Sequence, residues 1–374
     1  MSHAYRTCVP CNVCGSNETR LVYQKWTLHI VQCVECGLIY VNPRAFQVEE
    51  DHYFEGPYLS TIEKDGKLDE GIATLYGEIV YNLSRRVSRG RLLDVGCAMG
   101  HFLEFARHYG WEVEGVECSP YAAQYAAQRV GVKVHPVCVL KDANLPHNYY
   151  NCCVLVEVIE HLPDPRETMT EVWRLLEPGG LVYMTTPNFT SYPSLLLRDD
   201  WHAVIPSGHL YYFESASLGK LLSSVGFVEV ENLTGRGDFA KELKLAVNSG
   251  LLKLTTEELD RLKELARIEE DKPDPGRAEG LVMCARKPWD SADRQAVLSE
   301  AITREAFKSP FEGCLVRRPG ETYEDIKVYF VENGRKRWVT TADWIIAKGM
   351  KWPTDVRFIT AEELDAILPG PALP

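Results

Sequence analysis

Three features are scarce or missing in this sequence of 374 residues, and each absence argues against a class of protein. No apolar run reaches the roughly 18 residues that a membrane-spanning helix requires. The start of the chain, from Met1 to Arg6, has no apolar signal core, so we expect a cytoplasmic protein without a membrane partner. Basic residues are outnumbered, 41 against 53 acidic ones, and the net charge of −12 argues against a nucleic acid as the main partner.

The rest of the composition is ordinary for a globular protein, with 45% hydrophobic and 25% charged residues. The length fits roughly two to three domains. Twelve cysteines are many, but five lie in the first 36 residues, and several others fall in apolar, strand-like runs where cysteine acts as a small hydrophobic residue. This placement favours a reducing compartment over a disulfide-bonded protein.

Two Cys-x2-Cys pairs stand near the N-terminus, Cys11 with Cys14 and Cys33 with Cys36. Their spacing is typical of a four-cysteine zinc ribbon, in which each pair supplies two thiolates to one ion. Buried or disulfide-bonded cysteine is the alternative, and Cys8 is a spare thiol that could replace one ligand. Because four thiolates leave no open position on zinc, we expect a structural ion.

An apolar run that ends in Asp94 leads into a turn of small residues, Gly96, Cys97, Ala98 and Gly100. A helical pattern follows, so the segment predicts a buried strand, a tight turn and a helix start. In open α/β sheets, ligands bind at this edge of the sheet. Plain strand-to-helix packing is the alternative role of such a turn.

A second acid, Glu117, closes the next predicted strand. An acid at this place accepts hydrogen bonds from the ribose hydroxyls of a bound nucleoside, NAD included. The turn after Asp94 lacks the Gly-x-Gly-x-x-Gly pattern of a dinucleotide site, however. The acid before the glycines also favours a cationic ligand over a phosphate.

Strand-like and helical patterns alternate from residue 90 to about 288, which predicts a largely parallel sheet with helices on both faces. A helical insertion at about 239–270 joins the last two strands and is interpreted as solvated helix, with a partner surface as the alternative. The predicted strands are 91–95, 112–117, 132–137, 152–158, 181–186, 227–231 and 281–286.

Several motifs in chain order carry a family resemblance. They read Leu-Leu-Asp-Val-Gly-Cys-Ala-Met-Gly at 92–100, Gly-Val-Glu-Cys-Ser-Pro at 115–120, Glu-Val-Ile-Glu-His-Leu at 157–162, Arg-Leu-Leu-Glu-Pro-Gly-Gly-Leu at 174–181, and Thr-Pro-Asn at 186–188. Together they resemble the class I S-adenosylmethionine-dependent methyltransferases. The cysteine pairs upstream, followed by Tyr-Val-Asn-Pro-Arg at 40–44, look like a subgroup with an N-terminal zinc-binding module.

The resemblance implies an α/β fold: a Rossmann-like seven-stranded methyltransferase sheet with an N-terminal zinc ribbon and a small C-terminal β-rich module. It also implies S-adenosylmethionine as cofactor beside the structural Zn²⁺. Many members of the subgroup act on sugars, nucleotide-linked sugars or other small metabolites. We therefore expect a small-molecule acceptor, with a carbohydrate among the candidates.

Residue roles follow from the same resemblance. Asp94 and the backbone of Gly96, Ala98 and Gly100 are expected to hold the methionine end of the cofactor, and Glu117 its ribose. Ala98 stands where many relatives carry glycine, a change expected to matter little.

Two further acids complete the expected cofactor site. Asp142 would meet the adenine amine, although a solvated loop acid is the alternative, and Glu157 would line the methionine side. Tyr150-Asn151 stands where relatives usually have Phe-Asp, so the role of that acid is unfilled or moved.

Methyl transfer from a sulfonium is an in-line displacement, and a hydroxyl or carbon acceptor needs a base. The segment 201–213 carries two histidines among aromatic residues. His209 is the preferred base, followed by His161 and His202. A packing histidine at a helix start is the alternative for His161.

Outside the central domain the patterns are weaker. Tyr53 and Tyr58 are lid candidates in a segment that could also be a connector, and Glu332-Asn-Gly334 predicts a hairpin in a C-terminal module whose tryptophans form a core or stack on sugar rings. The predicted boundaries are 1–45 zinc ribbon, 46–89 helical linker or lid, 90–288 methyltransferase domain, 289–310 linker and 311–374 C-terminal module.

The function expected from these features is O- or C-methylation of a sugar, nucleotide sugar or natural-product intermediate. Two alternatives stay open: a non-catalytic binding or scaffold protein built on the same fold, and a nucleic-acid methyltransferase. The sequence carries no signal for an oligomeric state.

Overall fold

The structure is a computed structural model that divides into two compact units. The first unit comprises Met1–Glu55 with Val87–Pro288, and the second comprises Gly56–Arg86 with Trp289–Pro374. The residues described are 6–45, 62–64, 67–235, 239–248, 255–257, 259–260, 262–263, 276–289, 315–317, 329–332, 335–339, 356–358 and 368–373.

The strands and helices are numbered here along the chain. The strands are β1 (Arg6–Thr7), β2 (Thr19–Lys25), β3 (Leu28–Cys33), β4 (Ile39–Val41), β5 (Arg44–Ala45), β6 (Glu63–Lys64), β7 (Lys67–Leu68), β8 (Arg91–Val95), β9 (Glu112–Glu117), β10 (Val134–Pro136), β11 (Tyr150–Val156), β12 (Leu176–Pro187), β13 (Tyr211–Tyr212), β14 (Val228–Asn232), β15 (Gly280–Arg286), β16 (Leu315–Arg317), β17 (Tyr329–Glu332), β18 (Arg335–Val339), β19 (Val356–Phe358) and β20 (Leu368–Leu373). The helices are α1 (Glu70–Ser84), α2 (His101–His108), α3 (Pro120–Val130), α4 (Pro165–Leu175), α5 (Tyr192–Leu197), α6 (Ser215–Val225) and α7 (Phe239–Asn248), with short 3-10 helices at Leu140–Ala143 and Arg198–Asp200.

The centre of the first unit is a seven-stranded sheet in the order β10-β9-β8-β11-β12-β15-β14. The five strands from β10 to β12 run parallel, and β15 is antiparallel to both of its neighbours. Apolar side chains fill consecutive positions of the central strands because helices cover both faces of a parallel sheet. The predicted α/β fold and its seven strands are confirmed, with β11 and β12 starting a few residues earlier than expected.

The helices of the sheet begin at local capping signals. The Ser119 hydroxyl accepts a hydrogen bond from the backbone of Ala122, and the Asp164 carboxylate accepts one from Glu167. In both cases proline stands at the first helical position, where its missing N–H costs nothing. These two helix starts are the ones that the sequence predicts.

Residues 6–45 are named the N-terminal cysteine module below. Three of their strands join β13 in a second sheet, in the order β13-β4-β3-β2. Its edge strand β13 comes from the far part of the unit and pairs Tyr211 with Tyr40. The two sheets share one continuous core, in which Leu38 and Tyr40 of the module and Leu155 and Ile159 of the central domain are all buried.

The cysteines of the central domain differ in part from expectation. Those in or next to strands are buried free thiols, as the apolar pattern predicts: Cys97, Cys152, Cys153 and Cys284. Cys118 and Cys138, however, form a disulfide. It joins the residue after β9 to the segment after β10, so two neighbouring loops at the ligand edge of the sheet are covalently linked.

The second unit contains α1, whose cap Asp69 accepts hydrogen bonds from the backbone of Gly71 and Ile72, and a sheet in the order β19-β16-β17-β18-β20. Strands β17 and β18 pair antiparallel up to Glu332 and Arg335, as the hairpin signal predicts. The lid candidates Tyr53 and Tyr58 lie outside the described residues.

The predicted helical insertion is represented by α7 at its start, while residues 264–275 lie outside the described part. Within the described residues, every helix is too short or too polar to cross a membrane.

Candidate functional site

The turn after β8 requires glycine for steric reasons. Gly96 and Gly100 both have φ of +80°, a left-handed conformation that favours glycine. A Cβ on Gly96 would lie 2.6 Å from a methyl group of Val158, and one on Gly100 would lie 2.9 Å from the Cβ of Ala126. The turn is therefore packed against the loop after β11 on one side and against α3 on the other.

The Glu117 carboxylate ties this turn to the next strand. Its Oε2 accepts a hydrogen bond of 2.8 Å from the backbone N–H of Ala98, and its Oε1 accepts one of 2.9 Å from Ser119. Ala98 has φ of +45°, so a residue with a Cβ here adopts a conformation that glycine adopts more easily. The alanine at this place is thus tolerated at a backbone cost that the sequence alone does not reveal.

Asp94 is buried at the end of β8, with 2% of its surface exposed. Burial, and to a lesser extent the nearby charge of Glu117, raises the pKa of Asp94 to about 8. A buried acid beside a second acid is a setting in which a positively charged ligand would be favoured.

The other two predicted cofactor acids lie on neighbouring loops. Asp142 is exposed on the 3-10 helix Leu140–Ala143, which follows β10. Glu157 follows β11 with φ of +55°, and its backbone N–H donates to the Thr185 carbonyl at 3.0 Å. Because β8, β9, β10 and β11 are adjacent parallel strands, all the predicted cofactor residues lie along one edge of the sheet.

Two of the three predicted histidines come together beside this edge. The rings of His161 and His209 meet edge to face with their centroids 4.8 Å apart. Nδ1 of His161 lies 3.1 Å from the Gly208 carbonyl, and Nδ1 of His209 lies 2.8 Å from the Ala203 carbonyl. Since a carbonyl only accepts, each Nδ1 carries a proton and donates it to its carbonyl partner.

A buried acid, Glu160, completes this group and was missed at the sequence level. Its side chain is 1% exposed, Oε2 accepts from the Thr186 hydroxyl at 2.8 Å, and Oε1 lies 3.8 Å from Nε2 of His161. Oε1 has no hydrogen-bond partner among the described residues. The signal was the second acid of Glu-Val-Ile-Glu-His, which carried no assigned role.

Electrostatics differ across the group. Burial raises the pKa of Glu160, with the charge of Glu157 adding to the effect. Burial, followed by the neighbouring His161, lowers the pKa of His209 to about 4. His209 is therefore neutral near pH 7.

The ligand atoms of Glu160, His161 and His209 all lie within 4.8 Å of one another. Two imidazoles and a carboxylate at this spacing suit a proton-transfer group and equally suit a divalent cation. The third predicted histidine is placed elsewhere: His202 is exposed, and its Nδ1 lies 3.5 Å from Oε1 of Glu279.

The four predicted metal ligands of the N-terminal cysteine module are also brought together. Their sulfur atoms lie within 4.8 Å of one another, with Cys11 and Cys36 at 3.3 Å and Cys14 and Cys33 at 3.5 Å. Four sulfurs at about 2.3 Å from a central ion would have comparable separations, so the donor set fits tetrahedral zinc. Cys8 is exposed and stands outside this group.

Comparison with known proteins gives a family match over residues 68–232, described as a methyltransferase domain. The ubiquinone biosynthesis O-methyltransferase of Alkalilimnicola ehrlichii is 33% identical over 103 residues, which cover 26% of this chain and 42% of that protein. The protein of the same name from Thiobacillus denitrificans is 29% identical over 156 residues, covering 39% of this chain and 67% of that protein. This chain thus spans less than half of the first relative.

Among solved structures, a SAM-dependent methyltransferase from Archaeoglobus fulgidus matches 63% of this chain and 100% of its own, with a TM-score of 0.46 and 18% identity. A phosphoethanolamine N-methyltransferase 2 of Haemonchus contortus, in complex with S-adenosyl-L-methionine, matches 67% of this chain and 63% of its own, with a TM-score of 0.41 and 18% identity.

Proposed function

We propose that the protein is an S-adenosylmethionine-dependent methyltransferase acting on an oxygen of a small molecule. The match of residues 68–232 to a methyltransferase domain is the starting point of this proposal. The observation that carries the proposal is the buried pair of acids at the end of two adjacent strands, Asp94 and Glu117, of which Glu117 also accepts a hydrogen bond from the backbone N–H of Ala98. This is an acidic, glycine-lined edge, and the cofactor carries a sulfonium and an ammonium group.

In this proposal the cofactor would bind along the sheet edge. Asp94 and the backbone of Gly96, Ala98 and Gly100 would hold the methionine end, and Glu117 would bind the ribose hydroxyls. Glu157 would line the methionine side, and Asp142 would meet the adenine.

The acceptor would bind on the side of His161 and His209. Nε2 of His209, or of His161, would take the proton from the acceptor hydroxyl. A bound S-adenosylmethionine would supply the methyl group, activated for transfer by the positive charge on its sulfur. His202, which is exposed, is the third candidate for this base.

The donor set of Glu160, His161 and His209 supports a second role for the same group. A divalent cation held there would lower the pKa of an acceptor hydroxyl bound next to it. Removing divalent ions with a chelator and adding back Mg²⁺ or Mn²⁺ separates the two roles, since a purely proton-transferring group needs no ion.

The acceptor class rests on two supports of different kinds. The relatives' names point to oxygen acceptors on ubiquinone precursors. The resemblance of the N-terminal cysteine module points to sugars or nucleotide sugars. An acceptor panel therefore contains phenolic, sugar and nucleotide-sugar hydroxyl compounds, with release of S-adenosylhomocysteine as the readout.

Calorimetry with S-adenosylhomocysteine tests the cofactor site without an acceptor. Replacing Glu117 by Ala removes acceptors of hydrogen bonds to the ribose, and we expect the Kd to rise about 10- to 100-fold, which corresponds to roughly 1.5–3 kcal/mol. Exposed Glu112 at the start of the same strand is the matched control, and Glu112→Ala should bind as the wild type does. Absence of binding to the wild type would overturn the proposal.

We also propose that Cys11, Cys14, Cys33 and Cys36 hold a structural Zn²⁺, and that the chain has the five-part organisation predicted from its sequence. The sulfur geometry supports the zinc site.

A further inference from the structure

The N-terminal cysteine module contacts the loop that carries Glu160 and His161. The first contact is made by Asn12, which lies between two of the module's metal-ligand candidates. Its side-chain amide donates to the Asp164 carboxylate at 2.9 Å and accepts from the backbone N–H of Arg166 at 2.8 Å.

The Arg166 guanidinium donates hydrogen bonds back to the same turn of the module. Nε donates to the Asn12 carbonyl at 2.8 Å, and Nη2 donates to the Val13 carbonyl. Arg166 stands in the first turn of α4, immediately after the loop that begins at Glu160. The first cysteine turn is thus fastened to the far end of that loop.

A second contact reaches the segment that carries His209. The backbone N–H of Val41, at the end of β4, donates to the Leu210 carbonyl at 2.9 Å, and β4 continues into antiparallel pairing with β13. Arg44 of the module donates to the Tyr211 hydroxyl at 3.2 Å. The residue directly after His209 is therefore bonded to the module.

The two contacts meet at one carbonyl. The carbonyl of Glu160 accepts from the backbone of Leu210 at 2.8 Å and of Tyr211 at 3.1 Å. The module therefore holds one histidine-bearing segment through Arg166 and the other through β4, and the two segments are bonded to each other between these points.

We propose that the N-terminal cysteine module is a positioning element for the acceptor side of the site, with Arg166 as its principal positioning residue. Through Arg166 and β4 the module sets the spacing of His161 and His209, and none of the contacts described above is made by a predicted cofactor residue. This inference rests on the proposed function in assigning a use to the two histidines.

Replacing Arg166 by Ala tests the proposal in the full-length protein. Loss of the two charge-assisted bonds leaves the first cysteine turn held to the start of α4 only through the Asn12 side chain. A resulting displacement of the histidines of about 1 Å would lower kcat by roughly 10- to 100-fold. The Kd for S-adenosylhomocysteine should stay at the wild-type value, because the cofactor edge is not part of this contact. Arg166→Lys, which can still donate to one carbonyl, should recover part of kcat.

The matched control is Arg174→Ala. Arg174 lies at the other end of the same helix and bonds Glu171 and the Leu145 carbonyl, away from the module. The proposal is overturned if Arg174→Ala lowers kcat as much as Arg166→Ala does. It is also overturned if Arg166→Ala raises the Kd for S-adenosylhomocysteine by the same factor by which it lowers kcat, because either result would indicate a general loosening of the fold.

A spectroscopic readout keeps the proposal testable without turnover. The imidazole nitrogen resonances of His161 and His209 should shift in Arg166→Ala and stay in place in Arg174→Ala. Shifted resonances in a protein that methylates no acceptor would support the positioning role and count against the proposed function alone. Unshifted resonances in Arg166→Ala overturn the positioning role.

Discussion

In the ligand-free fold, burial favours the protonated form of Asp94. Its pKa rises from 3.8 to about 8, first because it is buried and second because Glu117 is near. A carboxyl whose pKa is higher in the folded chain than in the unfolded chain stabilises the fold fully when the pH is below its unfolded-state pKa. This stabilisation is lost as the pH rises towards its folded-state pKa.

The stability of the ligand-free protein should therefore fall between about pH 4 and pH 8 as Asp94 is forced to ionise inside the fold. Asp94→Asn keeps a neutral side chain of the same shape, so its unfolding midpoint in urea should depend less on pH over this window. If the profiles of wild type and variant run parallel from about pH 5 to pH 8, Asp94 is not the group responsible.

Gly96 is the residue of the turn with the least room for a side chain. Gly96→Ala combines a left-handed φ with a Cβ 2.6 Å from Val158, and we expect a loss of at least about 1–3 kcal/mol of unfolding free energy. Gly280→Ala is the control, because nothing lies within 4 Å of its Cβ position. Equal urea midpoints for the two variants would contradict the steric account.

At the scale of elements, the disulfide links the loops that carry two predicted cofactor acids. Cys118 follows Glu117 directly, and Cys138 precedes the 3-10 helix with Asp142. Reduction takes two electrons and two protons from a dithiol reductant, which leaves as its own disulfide, and it frees the two loops to separate.

We expect reduction to raise the Kd for S-adenosylhomocysteine by about threefold to tenfold, because the two loops predicted to contact its adenosine are no longer held in place before binding. The double variant Cys118→Ser with Cys138→Ser should show the weaker Kd with and without reductant. Calorimetry in which the wild type binds equally well in both conditions would remove any role for this link.

Elements with local signals were predictable, and elements made by distant pairing were not. The starts of α3 and α4 follow from Ser-Pro and Asp-Pro, and the central strands follow from unbroken apolar runs. Strand β13 has only two residues and forms because β4, some 170 residues earlier, offers a free edge. Its two residues, Tyr211 and Tyr212, are buried in the core.

The candidate site shows the same division. His161 and His209 were singled out one by one, but the 47 residues between them hide their contact. Glu160 escaped notice because an acid within an apolar motif has no pattern of its own. Its importance becomes visible only when burial leaves one oxygen without a partner among the described residues.

At the scale of the whole molecule, the four-cysteine group should stabilise more than its own 40 residues. The module shares a core with the central sheet, so loss of a bound zinc ion would loosen both. We expect chelation to lower the thermal midpoint; a loss of about 3 kcal/mol corresponds to roughly 6–12 °C for a domain of this size.

The metal content provides the matched comparison. Cys14→Ser should bind less than one equivalent of zinc and unfold at a lower temperature, whereas Cys8→Ser should keep both values because Cys8 stands outside the group. Full zinc content in Cys14→Ser, or a loss in Cys8→Ser, would mean that the ligand set is different.

The pairing of β13 with β4 also bears on the order in which the chain can fold during synthesis. Strands β2, β3 and β4 leave the ribosome early, yet their sheet lacks its fourth strand until Tyr212 has been made. At cellular elongation rates this delay is on the order of ten seconds. Throughout it, the edge of β4 stands open, so these early strands are exposed to mispairing at that edge.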